Sequence, residues 1–429
     1  MTSNDWKEVQ LKDVILFNPR ESIKKGTMAK KISMDKLAPY QKKITGFEYA
    51  EFKSGTKFKN GDTLLARITP CLENGKTAQV DILDDNEIGF GSTEFIVMRE
   101  ISGISDNDFI YYLAISDDFR NIAIKSMTGT SGRQRVQMDV LEQTKLLIPP
   151  LREQKAIANI LSTLDEKIET NNQINEKLEE MAQALFKHWF VDFKFPNENG
   201  EPYKSSGGEM VDSELGMIPK GWKIVTLEDL TSKFTTGLNP RKNFVLGKGE
   251  NYYVTIKNMG NNQIYLDDKC DKIDNDAIKK INKRSDLKKG DLLFSGIGTI
   301  GRVYLIDETP ENWNISESIF TLRSSKLITS EILYLLLLSE QLQGYAQQLA
   351  SGSVQKGVRM RDLKAYKLAI PSNCLIEKFT ELIRPLIRKN KYLEKENKRL
   401  KAIRDTLLPK LMSGEIRVPL DDEVLSGQS

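Results

Sequence analysis

Gly296-Ile297-Gly298-Thr299-Ile300-Gly301 has the spacing G-x-G-x-x-G. In a dinucleotide site that spacing brings phosphate oxygens against the amides of a helix N-terminus. Such a site needs a helix directly after the last glycine. Here Arg302-Val303-Tyr304-Leu305-Ile306 follows, and it reads as a strand. The six residues are therefore expected to form a glycine-rich hairpin. The single histidine, His188, lies in Lys187-His188-Trp189-Phe190 and reads as a histidine packed at a helix end. No G-x-x-x-x-G-K-[ST] run exists, which argues against ATP hydrolysis. Asn18-Pro19-Arg20 and Asn239-Pro240-Arg241 lack the second proline and the aromatic residue of the N-P-P-aromatic sequence used by adenine methyltransferases. The carboxylates show no pairing that suggests hydrolysis. One histidine and no C-x-x-C leave no zinc site. Cys71, Cys270 and Cys374 are odd in number and far apart, which fits a reducing cytoplasm and no disulfide framework.

What remains is chemistry suited to a nucleic acid. Thr128-Gly129-Thr130-Ser131-Gly132-Arg133-Gln134-Arg135-Val136-Gln137 gathers small hydroxyls, glycines, arginine and glutamine in one loop. Ser351-Gly352-Ser353-Val354-Gln355-Lys356-Gly357-Val358-Arg359-Met360-Arg361 does the same. Glycine lets a backbone approach a phosphate, and serine and threonine donate to it. Arginine pairs with guanine and glutamine with adenine through two hydrogen bonds. The candidate DNA-contacting residues are Arg133, Gln134, Arg135 and Gln137 in the first loop, and Gln355, Lys356, Arg359 and Arg361 in the second. Arg67, Lys76, Lys257 and Arg302, near other turns, join them. An ordinary solvated loop is the competing reading for any single side chain.

The elements that must position these loops come in two copies. Trp6-Lys7-Glu8-Val9-Gln10-Leu11-Lys12-Asp13-Val14 returns as Trp222-Lys223-Ile224-Val225-Thr226-Leu227-Glu228-Asp229-Leu230. Asn18-Pro19-Arg20 returns as Asn239-Pro240-Arg241, and Gly61-Asp62-Thr63-Leu64-Leu65 as Gly290-Asp291-Leu292-Leu293-Phe294. Phe109-Ile110-Tyr111-Tyr112-Leu113 matches Ile332-Leu333-Tyr334-Leu335-Leu336, Val136-Gln137-Met138 matches Val358-Arg359-Met360, and Ile148-Pro149 matches Ile370-Pro371. The order never changes. Each copy is strand-rich and turn-rich first, as in Phe95-Ile96-Val97-Met98 and Val303-Tyr304-Leu305-Ile306, and then enters a long helix after a proline. Pro196 to Lys220, with Asn-Glu-Asn-Gly and Ser-Ser-Gly-Gly, reads as a polar linker.

The two long helices carry matching heptads. After Pro149-Pro150, Ile157, Leu164, Asn171, Leu178 and Leu185 share one position, and Leu161, Ile168, Asn175, Ala182 and Trp189 the other. From Ser372-Asn373, either of which could cap the second helix, Phe379, Leu386, Leu393, Leu400 and Leu407 share one position. Ile383, Asn390, Asn397, Arg404 and Leu411 share the other. Asparagines near both middles would face each other in an antiparallel pair, where a buried amide punishes wrong registers. The charges also complement: five basic and seven acidic residues from Leu151 to Phe190, against ten basic and three acidic from Arg384 to Lys410. An antiparallel two-helix coiled coil is expected, with packing of each helix on its own domain as the alternative. Pro385 is expected to kink the first turns of the second helix or to mark its true start. From Ile157 to Trp189 a helix runs about 50 Å at 1.5 Å per residue. That matches ~15 base pairs of B-DNA, so the pair of helices would act as a ruler.

With 429 residues the chain has room for several domains. Its 63 basic and 60 acidic residues nearly cancel, so charge for DNA must be local. The polar start, Met1-Thr2-Ser3-Asn4-Asp5-Trp6, has no apolar signal region, and no run of about 18 apolar residues suggests a membrane span. Ile332 to Leu338 reads as a buried helix.

Four segments then carry a family resemblance. They are Ile148-Pro149-Pro150-Leu151-Arg152-Glu153-Gln154 and Leu185-Phe186-Lys187-His188-Trp189-Phe190-Val191-Asp192-Phe193, which bracket the first long helix. The others are Ser213-Glu214-Leu215-Gly216-Met217-Ile218-Pro219-Lys220-Gly221-Trp222 and Leu408-Pro409-Lys410-Leu411-Met412-Ser413-Gly414-Glu415-Ile416. In this order they resemble the specificity subunits of type I restriction-modification systems. One departure is that Pro371 is followed by Ser372 without a Glu-Gln pair. The resemblance implies an α+β chain of two similar α/β target-recognition domains joined by two long helices in an antiparallel coiled coil, a pseudo-twofold internal repeat. The expected boundaries are 1–150 and 221–372 for these domains, 151–195 and 373–414 for the helices, 196–220 for the linker and 415–429 for a tail. It implies a non-catalytic cytoplasmic subunit that reads a bipartite site in double-stranded DNA. Two methyltransferase subunits would dock on it and bring S-adenosylmethionine to methylate adenine. A motor-nuclease subunit would bring ATP and magnesium chemistry, so the chain itself holds no cofactor. A coiled-coil scaffold that does not bind DNA, and a free-standing methyltransferase or nuclease, are the competing classes.

Overall fold

The computed structural model describes residues 5–130, 132–260, 262–350 and 356–419. The chain forms two compact units, one from residues up to Asn171 together with those from Lys395 onward, the other from Asn172 to Glu394. The same plan is built in each.

In the first unit, Lys7–Gln10 pairs antiparallel with Lys145–Ile148, with Lys7 opposite Ile148. A four-stranded antiparallel sheet runs in the order Ile15–Phe17, Phe95–Glu100, Thr63–Ala66, Thr77–Gln79. A second sheet orders Glu48–Glu51, Met28–Ile32, Gly89–Gly91 and Thr56–Phe58, with its middle pair parallel. In the second unit the corresponding strands are Lys223–Thr226 with Lys367–Ile370. The sheet there orders Thr231–Thr236, Ile319–Ser324, Leu292–Ser295, Val303–Leu305, and a three-stranded sheet has Asn251–Val254 between Asp271–Ile273 and Trp313–Ile315. Two short helices follow in each, Asn107–Ile115 with Asp117–Lys125 and Ser330–Leu338 with Glu340–Leu349. Ser116 and Ser339 cap the second of each pair, their side chains accepting from the amides of Phe119 and Leu342.

The central strand of each sheet is buried at all four positions, Thr63–Ala66 and Leu292–Ser295. It starts from the repeated Gly-Asp. Gly61 and Gly290 turn the chain at φ +89° and +88°, a conformation that favours glycine. The aspartates are sealed inside. Asp62 accepts from the Lys59 amide at 2.8 Å and from Nε and Nη2 of Arg99 at 2.6 and 2.7 Å. Asp291 accepts from the Lys288 amide at 2.8 Å and from the same two atoms of Arg323 at 2.7 and 2.9 Å.

The long helices run Leu151–Phe186 and Asn373–Met412, and a π-helical turn, Lys187–Val191, extends the first. The Ser372 carbonyl accepts from the amides of Leu375 and Ile376, so Ser372 leads into the second helix. Pro385 lies exposed inside that helix and does not begin it, because Asn373 starts it three turns earlier. Within the first unit, Ile157, Leu161, Ile168 and Asn171 are buried, as are Asn397 and Arg404, while Leu164, Leu400 and Leu407 are half-buried. Asn171 Nδ2 donates to Asn397 Oδ1 at 2.9 Å and to Glu396 Oε2 at 2.7 Å. Arg404 Nη1 donates to Asp165 Oδ1 at 2.6 Å, and the Tyr112 hydroxyl donates to Asp165 Oδ2 at 2.8 Å. Numbers rise on one helix as they fall on the other, so the pairing is antiparallel.

Within the second unit, Phe379, Ile383, Asn390 and Leu393 are buried, and Asn175, Leu178, Leu185 and Leu386 are half-buried. Asn390 donates to Glu179 at 3.2 Å and to the Asn175 carbonyl at 3.4 Å. Phe186, Trp189 and Phe190 gather around Phe379 with centroids 4.9–6.4 Å apart, again antiparallel. His188 faces solvent and is not packed, because the π turn buries its neighbours Trp189 and Phe190 instead. Residues 196–220, expected as a polar linker, contain the hairpin Met210–Val211 with Ile218–Pro219. Phe195 stacks on Tyr203 and Trp222 there at 4.7 and 5.3 Å, which anchors the segment.

Asp62→Ala should destabilise the first unit by about 3 kcal/mol, because it leaves Arg99 charged and largely buried without its main partner. Asp291→Ala should cost less, since the Arg323 side chain is 27% exposed against 11% for Arg99. Hydrogen exchange of the amides of Thr63–Ala66 and Leu292–Ser295 reads each effect separately; equal losses would contradict the burial argument.

Candidate nucleic-acid interface

The two central strands end at Ala66 and Ser295, and the loops beyond them carry the candidate side chains. In the first unit the loop is tied through its backbone to the segment that ends at Gln137. The Val136 amide donates to the Arg67 carbonyl at 2.9 Å, the Thr69 amide to the Gln134 carbonyl at 3.1 Å, and Ile68 bridges Arg135. The Arg67 amide donates to the Glu94 carbonyl at 2.9 Å. The second unit repeats every tie. Val358 donates to Gly296 at 2.8 Å, Gly298 to Lys356 at 2.8 Å, Gly296 to Ser318 at 3.0 Å, and Ile297 bridges Gly357. Each unit thus holds one two-loop cradle at the mouth of its central strand.

In the first cradle Arg67, Gln134 and Arg135 come together, and Arg133 stands exposed beside them. Arg135 grips Glu94, Nη2 to Oε1 at 2.7 Å and Nε to both oxygens at 3.0 Å. Arg67 Nε lies 3.9 Å from the same carboxylate. The Arg135 hydrogen bonds hold the Glu94 carboxyl below the usual carboxylate range, so it stays ionised at neutral pH. Gln137 turns inward, donating to the Thr128 hydroxyl and to the Arg135 carbonyl. The Lys76 backbone adjoins the end of the central strand, its carbonyl accepting from the Ala66 amide at 3.1 Å, but its ammonium is turned to the Met34 carbonyl at 2.8 Å.

In the second cradle Lys356 and Arg359 are exposed, and Arg361 lies exposed on the short helix Met360–Lys364, 3.3 Å from Asp362. Gln355 falls outside the described residues. Arg302 is a clip: its Nη1 donates to the carbonyls of Ile256 and Met259. Lys257, in the turn that Arg302 holds, is exposed. Among the described residues Arg133, Lys257, Lys356 and Arg359 make no ion pair. Gly296 to Gly301 joins the antiparallel strands Leu292–Ser295 and Val303–Leu305, so it is a hairpin and carries no helix. Gly298 and Gly301 take φ of +81° and +93° there.

Sequence reasoning passed over Glu94, Arg99 and Arg323. The arginines had a visible signal: each is the last residue but one of its strand in both copies, after Val97-Met98 and Thr321-Leu322. Glu94 had none, since an acid beside basic loops looks unhelpful to DNA binding until its arginine partner is seen. Among the described residues no His, Cys, Asp and Glu cluster is arranged to hold a metal, no cysteine is bonded to another, and no helix is long and apolar enough to cross a membrane.

Comparison with known proteins agrees with this architecture. The chain is 29% identical over 412 residues to the Type I restriction enzyme HindI specificity subunit of Haemophilus influenzae, covering 83% of this chain and 87% of that one. It is 27% identical over 313 residues to the MjaIX specificity subunit of Methanocaldococcus jannaschii, covering 73% and 69%. The crystal structure of a type I restriction-modification S subunit from M. genitalium shares the fold at 16% identity, with a TM-score of 0.56 over 96% of this chain and 97% of that one. Residues 3–180 and 219–402 match the family described as Type I restriction modification DNA specificity domain, one match per copy of the repeat, and the chain belongs to that family.

Proposed function

We propose that the chain is the address-reading subunit of a type I restriction-modification complex, in which each repeat reads one half of a bipartite target in double-stranded DNA. The observation that carries this reading is the duplicated cradle: one backbone scaffold appears in both units and presents different side chains in each. A protein with two readers of one design and two decorations suits a target with two unlike halves. The exposed Arg133, Lys257, Lys356 and Arg359 supply local positive charge that the near-neutral whole lacks. The continuous helices are the measure of the gap between halves. Two methyltransferase subunits, carrying S-adenosylmethionine, and a motor-nuclease subunit using ATP and magnesium are the partners that supply the chemistry. The chain supplies position and no catalysis.

The decisive experiment is genome-wide adenine methylation in cells making this chain with its methyltransferase, against cells lacking it. One bipartite motif that vanishes with the chain is expected, and exchanging residues 1–150 should rewrite one half of it only. Unchanged methylation with an active partner would leave the scaffold reading. Inserting seven residues into each helix should lengthen the tolerated gap by about 10 Å, or ~3 base pairs, with both halves kept. For the assembled methyltransferase on its own site, Arg133→Ala, Lys356→Ala and Arg359→Ala should each make log affinity fall less steeply with log salt. The slope should drop by about 0.9 for each phosphate that is no longer neutralised. An unchanged slope in all three would place the DNA elsewhere.

A further inference from the structure

The two cradles share their backbone hydrogen bonds, and three positions within them differ completely. The ties place Arg67, Glu94 and Arg135 of the first unit where the second unit has Gly296, Ser318 and Gly357. Two guanidiniums around one carboxylate are matched by two bare glycines and a serine. This difference is built into the core beneath. A Cβ on Gly296 would meet the Phe320 ring at 2.4 Å, so a side chain there requires the ring to move. Phe320 lies opposite Phe294 in its sheet; the matching residue opposite Leu65 is Ile96, which leaves room for Arg67. The scaffold has been kept and the reading surface changed, from the packed layer outward.

The charged trio is arranged, not merely adjacent. Glu94 engages the Nε–Nη2 edge of Arg135 as a fork. Arg67 approaches the same carboxylate only at 3.9 Å through Nε, and that atom is covered and without a hydrogen-bond partner. The two terminal nitrogens of Arg67 have no partner among the described residues, and its side chain keeps 30% of its exposure. Two parallel donors on a planar group, steadied from behind by a charge, match the O6 and N7 acceptors of guanine in a major groove. Glu94 adds a second effect: it cancels one of two positive charges, so the pair of arginines is a weak phosphate trap and a better reader of base edges.

From this geometry we infer that Arg67, held by the Glu94–Arg135 pair, reads a guanine in the half-site recognised by the first repeat, and that the second repeat, with glycine at the matching place, reads its half-site without such a contact. Arg67 is the specificity-determining residue; Glu94 and Arg135 are positioning residues. The inference rests on the proposed function above, and its test separates the two.

The test is methylation-motif sequencing, with the complete methyltransferase complex, for Arg67→Lys and Glu94→Gln. Lysine keeps the charge and loses the fork; glutamine keeps the shape and loses the charge. Each should relax discrimination at one G·C position of the half assigned to residues 1–150, by about ten- to a hundredfold for Arg67→Lys. The other half and the gap should not change. A third variant, Arg67→Gly/Glu94→Ser/Arg135→Gly, copies the second cradle and should relax the same position further. An unaltered motif in Arg67→Lys overturns the inference while leaving the bipartite reading intact. Uniform weakening at all sequences, or complete loss of methylation, assigns the trio to phosphate holding or to folding and also overturns it. A wild-type chain that directs no bipartite motif sinks the proposed function itself.

Discussion

Everything at the candidate interface hangs on a buried carboxylate at the opposite end of the strand that leads to it. Asp62 is fully shielded from solvent and Asp291 nearly so. Each is neutralised by an arginine from the neighbouring strand and steadied by a backbone amide. A charge in such a place is tolerable only with its partner in position. The pair therefore fixes how Thr63–Ala66 sits against Phe95–Glu100, and Leu292–Ser295 against Ile319–Ser324. A slip of one residue would invert every side chain along the strand. The loop that follows inherits that alignment, and with it the opposition of Arg67 to Glu94 and of Gly296 to Ser318.

Much of this was legible in the amino-acid order because periodicity and glycine are local signals. The heptads of the long helices, the short buried helix at Ile332–Leu338 and the hairpin at Gly296–Gly301 each follow from residues close in sequence. The direction of a basic side chain at a turn is not a local matter. Lys76 and Arg302 look like Arg133 and Lys356 in composition and surroundings, yet each donates to carbonyls more than forty positions away. Only the tertiary path shows which cation clips a loop and which meets solvent. Pro385 illustrates the same limit in reverse. Its ring removes one helical hydrogen bond, but the helix on both sides is held by buried residues, Phe379 and Ile383 before it and Ile387 and Leu393 after it.

The two copies have diverged in their seams as well as in their cradles. The first unit closes around Asp165, Arg404 and the Tyr112 hydroxyl. Burial alone would make the Arg404 guanidinium easier to deprotonate, but Asp165 and Asp405 outweigh it and hold the charge. The matching positions of the second unit are Ile387, Ala182 and Leu335, all apolar, with an aromatic cluster at Phe379 beside them. At these three places the first repeat carries a shielded charge network and the second carries hydrocarbon, while Asn171 and Asn390 keep a polar contact in each seam.

The way the chain divides between its two units sets the order in which they can be completed. The second unit is a single stretch, Asn172 to Glu394, whereas the first needs the residues from Lys395 onward to be complete. Glu153 shows the gap: its carboxylate accepts from Trp6 at 2.9 Å and from Arg417 at 3.1 Å, partners drawn from far apart in the chain. During synthesis domains ordinarily mature from the N-terminus onward. Here the ribosome must pass through the whole later-made unit before the earlier one can close, and the Asp165 carboxylate waits for Arg404 in the meantime. The order of birth and the order of completion are reversed, so the later half of the second long helix is what seals the first unit.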